Sequence, residues 1–117
     1  MWLTGEGVKV YLALGFTDMR KSINGLSILV EDRLAMDPFA GHLFVFANRR
    51  RNMVKVLYWD RNGFCLWQKR LEKDRFRWPV TAEEVREVGA RELMWLLEGL
   101  DISEHHGHRA LAYEFVS

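Results

Sequence analysis

One cysteine, two prolines and no long apolar run set the first limits on this 117-residue chain. Cys65 has no second thiol with which to close an internal disulfide or complete a zinc site, so stability must come from packing. No stretch approaches the ~20 consecutive apolar residues that a membrane-spanning helix needs. The start, Met1-Trp2-Leu3-Thr4-Gly5-Glu6-Gly7, lacks the basic head and apolar run of a secretion signal, and the cytoplasm is the expected location. Also missing are a nucleotide-binding glycine loop, a paired-histidine spacing on a helix, internal repeats and any Pro/Gly/Ser-rich linker. No small-molecule substrate, metal or cofactor is expected on these grounds.

Hydrophobic residues make up 49% of the chain and aromatics 13%, enough for one real core and too little length for two. A single domain over residues 1–117 is the expectation. The formal net charge of +1 hides an uneven distribution. Between Asn48 and Trp78 stand ten basic residues, Arg49, Arg50, Arg51, Lys55, Arg61, Lys69, Arg70, Lys73, Arg75 and Arg77, against three acids, Asp60, Glu72 and Asp74. Segregation of this kind costs self-repulsion and is not required for folding, so it points to a surface that meets something anionic. Solvated turn and strand faces explain the same pattern equally well.

Val8, Val10, Leu12 and Leu14 alternate with Lys9, Tyr11 and Ala13, the period of a strand with one buried face. From Ser22 to Met36, Ile23, Leu26, Leu29, Val30 and Leu34 share one helical face, and Asp37-Pro38 then stops the helix. Leu43–Phe46, Met53–Trp59 and Phe64–Leu71 read as a three-stranded antiparallel meander. Its second connection, Asp60-Arg61-Asn62-Gly63, carries hairpin chemistry, and its first, Asn48-Arg49-Arg50-Arg51-Asn52, projects three arginines together. Thr81–Glu84 has the form of a capping box and reads as a turn or short helix. From Ala90, Leu93, Leu96, Leu97 and Leu100 mark a second helix with Gly99 as its C-terminal cap. The tail from Arg109 to Val116 alternates weakly, as an added edge strand would.

This order gives an α+β domain: a mostly antiparallel sheet with the meander, two main helices packed on one face, and the other face partly open. Alternation sets Met53, Lys55, Leu57 and Trp59 on one side of their strand and Cys65, Trp67, Lys69 and Leu71 on one side of the next. Aromatics beside lysines are what binders of single-stranded or distorted nucleic acid use, although tryptophans such as Trp59 and Trp67 are more often simply core residues.

The runs Gly15-Phe16-Thr17-Asp18-Met19-Arg20-Lys21 and Asp37–Phe46 resemble the short second-open-reading-frame (TnpB-type) protein of insertion-sequence family sixty-six. Asn48–Arg51, Lys55–Asp60, Gly63–Trp67, Lys69–Glu72, Phe76–Pro79 and Glu92–Asp101 match the same signature. The similarity spans roughly Lys9 to Ile102, leaving residues 103–117, with His105, His106 and His108, as an extension outside it. That histidine group reads either as a flexible polar tail or as a divalent-ion site. The resemblance implies an accessory to transposition, encoded beside a longer transposase that carries the catalytic acids. Element-end DNA, the transposase and other element-encoded proteins are the partners it suggests, and oligomeric state is left open.

Within the first signature, an Asp18 cap places Arg20 and Lys21 in the first helical turn, where the dipole disfavours cations and a bound anion would relieve the conflict. The other reading pairs Asp18 with Arg20, or starts the helix at Ser22 with the basic pair in a loop. Asp18, Asp60, Glu72 and Asp74 sit in turns or beside basic residues and do not form the converging carboxylates of a two-metal nuclease, so no catalytic residue is assigned. Two functions follow: DNA binding through the basic band with Arg20 and Lys21, or an adapter whose basic face docks on an acidic patch of the transposase or another element-encoded protein, with exposed aromatics such as Trp95 as anchors.

Overall fold

A computed structural model of the protein describes residues 7–102. Five strands form one sheet: β1 (Val10–Ala13), β2 (Leu43–Ala47), β3 (Met53–Asp60), β4 (Gly63–Arg70) and β5 (Val85–Val88). Two helices, α1 (Ile23–Asp32) and α2 (Ala90–Leu97), complete the architecture. The spatial order is β4-β3-β2-β1-β5, with β1 and β2 parallel and every other neighbouring pair antiparallel. The α+β class and the β2–β3–β4 meander are as the sequence indicated.

The helices lie on opposite faces, not on one. Strand alternation decides this. On one side Val10, Leu12, Leu43, Val45, Val54 and Val56 pack with Leu93, Leu96 and Leu97 of α2. On the other side Ala13, Phe44, Phe46 and Leu57 pack with Leu26 and Val30 of α1. β2 is buried along its whole length because both of its faces are covered, which is why Leu43-Phe44-Val45-Phe46 is continuously apolar. A one-sided sheet would have shown alternation there.

α1 ends sooner than its apolar spacing suggests. Arg33 caps it, and Leu34 and Met36 donate back to Leu29 and Val30 carbonyls as Ala35 takes a left-handed conformation (φ 54°) ahead of Asp37-Pro38. Gly89 caps the start of α2, its N–H donating to the Glu92 carboxylate at 2.8 Å. It closes with Gly99 at φ 90°, where Gly99 N–H reaches Leu96 O and Leu100 N–H reaches Trp95 O.

β5 is the element that the sequence pattern did not reveal. Val85-Arg86-Glu87-Val88 follows the acidic Thr81–Glu84 stretch, and its two valines do not alternate. The strand exists because β1 offers a free edge: Val10 pairs with Val88 and Ala13 with Val85. The tail strand expected at Arg109–Val116 and the histidines His105, His106 and His108 lie outside the described residues.

Candidate nucleic-acid interface

Topology gathers most of the basic residues at one end of the sheet. β1 and β2 run parallel, so the chain leaving β1 comes out beside the β2–β3 turn, and Thr17 N–H donates to Ala47 O at 2.8 Å. β4 runs antiparallel to β3 and returns to the same end, where Leu71 N–H donates to Asn52 O at 2.8 Å and Phe76 N–H to Arg51 O at 2.7 Å. Three segments distant in sequence, 15–21, 48–53 and 70–78, therefore form one surface.

The Asn48–Asn52 turn is held from inside by Asn48. Its Oδ1 accepts the N–H groups of Asn52 and Met53, both at 3.1 Å, and its Nδ2 donates to Asn52 Oδ1 at 2.8 Å. Arg49 and Arg50 are left exposed, with the Arg49 guanidinium 5.7 Å from the Phe16 ring centroid. Together with Thr17–Arg20 they border an open groove of about 1020 Å³. A second concavity of about 600 Å³ lies on the far side of the turn, lined by Arg51, Lys73, Arg75 and Arg77 with Asp74 and Glu98.

Asp18 and Arg20 form a bidentate pair, with contacts of 2.6 to 3.0 Å, and Asp18 also accepts the Arg20 N–H. The Arg20 side chain is the first cause that holds the Asp18 carboxyl down at about 2, and its backbone N–H is the second. The helix begins after Ser22, so Arg20 and Lys21 stand in the loop ahead of it, and the alternative in which Asp18 pairs with Arg20 is the one observed. Arg20 remains solvent-facing at the groove rim.

Three of the basic residues named from the sequence are placed elsewhere or otherwise engaged. Lys55 is only 7% exposed, and its ammonium donates to Met19 O at 2.9 Å and Lys21 O at 2.8 Å. It braces the 15–21 loop from beneath. Lys69 donates to Leu97 O at 2.9 Å, satisfying a carbonyl in the last turn of α2. Arg61, at φ 57°, sits in the β3–β4 hairpin, at the far end of an eight-residue strand roughly 23 Å long. Arg70 stays at the basic end and pairs with Glu72 at 3.2 Å.

The expected open face of aromatics and lysines is divided between two faces. Val56 pairs with Trp67 and Val54 with Lys69, so Trp67 and Lys69 face the α2 side while Lys55 and Trp59 face the α1 side. Trp95 packs against the α2-side core. The exposed aromatic surface is instead at the hairpin end, where Phe39, 52% exposed, meets Trp59 at 5.1 Å and Phe64 at 5.2 Å between ring centroids. Phe39 stood out in the sequence only as part of the Asp37–Phe46 family run, since a lone phenylalanine after proline reads as loop. Among the described residues the acids Asp18, Asp60, Glu72 and Asp74 do not converge on a common point.

Comparison with known proteins gives a consistent picture. A family description, IS66 Orf2-like protein, matches residues 8–107, reaching past Ile102 to include His105 and His106. The chain is 38% identical over 98 residues to the uncharacterised protein y4hO of Sinorhizobium fredii, covering 84% of this chain and 85% of that one. It is 34% identical over 96 residues to the uncharacterised protein y4jC of the same bacterium, covering 82% of each. No solved structure matches.

Proposed function

The chain belongs to the IS66 Orf2-like family of transposition-associated accessory proteins, and from that premise we propose that it binds the DNA of its element without cutting it, through the basic end of the sheet. The observation that carries this reading is the convergence of Arg49, Arg50, Arg51, Lys73, Arg75 and Arg77 on one end of the sheet, where none of them forms an ion pair among the described residues. Lys21 and the paired Arg20 and Arg70 extend this surface, whereas Lys55 and Lys69 support it from within.

A cluster of unpaired arginines is under mutual repulsion, which a phosphate backbone relieves while releasing condensed counterions. Arginine also offers a planar, weakly hydrated fork suited to phosphate oxygens. These contacts position a duplex and do not by themselves read its bases.

The test is a salt titration of binding to an element-end duplex. Each phosphate contact contributes about 0.9 to the slope of log affinity against log salt. Changing Arg49→Ala and Arg50→Ala together should lower the slope by about two. Unchanged affinity and slope in the double variant would overturn the proposal.

A second reading has its own observation, the Phe39–Trp59–Phe64 cluster at the end opposite the basic one. In that reading the chain is an adapter and this aromatic surface docks on the transposase or another element-encoded protein. Co-purification that survives nuclease treatment and is lost in Phe39→Ser supports the adapter; a complex that dissolves on nuclease treatment counts against it.

A further inference from the structure

The concavity between the Asn48–Asn52 turn and the 71–77 loop differs in kind from the open groove beside it. Its walls hold four basic side chains, Arg51, Lys73, Arg75 and Arg77, and two carboxylates, Asp74 and Glu98. Arg51 is built in: its N–H donates to Asn48 O, its carbonyl accepts Phe76 N–H, and Phe76 beneath is fully buried. Yet its Nε is shielded from solvent and has no hydrogen-bond partner. A buried donor of a charged group without an acceptor costs more than an ordinary lost hydrogen bond, and an oxygen of a bound anion would supply that acceptor.

The backbone points to the same place. Of the four non-glycine residues with positive φ among the described residues, Arg51 (62°) and Asp74 (65°) both line this concavity. A left-handed arginine costs of order 1 kcal/mol that a glycine or asparagine there would avoid. The strained backbone places the side chain.

We propose that this concavity is a binding site for a phosphate monoester. Four cations against two carboxylates leave a surplus of two positive charges, which matches a dianionic terminal phosphate and exceeds what one internal phosphodiester requires. The 5′-phosphate of a DNA end, with its duplex lying across the Arg49–Arg50 groove, is one source of that group; a free phosphorylated small molecule is the other. The DNA-end source rests on the DNA-binding reading above, and the chemistry of the pocket does not.

Two measurements on the full chain test it. The first compares affinity for one duplex with 5′-phosphate and with 5′-hydroxyl ends. The wild type should prefer the phosphate by about tenfold, the worth of one charge-assisted contact. Arg75→Gln with Arg77→Gln should reduce that ratio to about one, whereas Arg49→Ala with Arg50→Ala should weaken both duplexes and keep it.

The second measurement follows thermal unfolding with inorganic phosphate against sodium chloride at equal ionic strength. Phosphate should raise the wild-type midpoint further than chloride and lose that advantage in the Arg75, Arg77 variant. A wild type indifferent to the end group and to phosphate overturns the site. So does a preference that survives the Arg75, Arg77 change. No binding to either duplex, with phosphate still stabilising the wild type alone, overturns the DNA-binding reading and assigns the pocket to a free phosphorylated small molecule.

Discussion

Replacing Lys55 by methionine separates a phosphate contact from an internal brace. The side chain keeps its approximate length and apolar stem, so the change removes the ammonium with little change in packing volume. Two hydrogen bonds disappear, to Met19 O at 2.9 Å and Lys21 O at 2.8 Å. Bonds from a charged donor contribute about 1.5–3 kcal/mol each. Two effects reduce the loss: the desolvation penalty of the nearly buried ammonium vanishes, and the two carbonyls, on a half-buried and an exposed residue, regain water. The net expectation is a destabilisation of about 2 kcal/mol.

Urea unfolding followed by tryptophan fluorescence should show this as a lower midpoint with an unchanged m-value. The 15–21 loop should also exchange its amide hydrogens faster, since its anchor to β3 is gone. The salt slope of DNA binding should stay within a few tenths of the wild-type value, because the Lys55 ammonium is turned to the Met19 and Lys21 carbonyls. A Lys55→Met protein of wild-type stability whose slope falls by about one would refute this account and restore Lys55 as a contact residue.

Two further outcomes follow from the same geometry. The Asp18 carboxyl should titrate at about 2 in the folded protein, against an ordinary 3.8, and return toward the ordinary value in Arg20→Gln; a wild-type midpoint near 3.8 by carboxyl NMR would remove the pair. Because the folded value is depressed, the stabilisation from this pair is present above pH 3.8 and fades as pH falls from there to about 2. Gly99→Ala should cost about 1 kcal/mol in thermal or urea unfolding, since φ 90° strains any Cβ-bearing residue; an unaltered midpoint would mean that α2 ends differently in solution.

Much of the fold was legible in the chain. The 3.6-residue spacing of Leu26 and Val30 in α1, and of Leu93, Leu96 and Leu97 in α2, is written in local order, as is the turn chemistry of Asn48–Asn52 and Asp60–Gly63. Charge segregation between Asn48 and Trp78 was likewise countable from residue types, and family membership follows from the sequence alone.

What tertiary structure decided is partnership across distance. Val85–Val88 is a strand because β1 has an edge to offer, and no pattern within those four residues states that. Lys55, Lys69 and Arg61 are as basic as Arg49 by composition. One is sealed beneath a loop thirty-odd residues away, one meets the last turn of α2, and one rides the far hairpin, because strand direction and register fix where each side chain arrives. A sequence records that a residue carries charge; the fold determines whether that charge faces a carbonyl or the solvent, since only folding sets its neighbours.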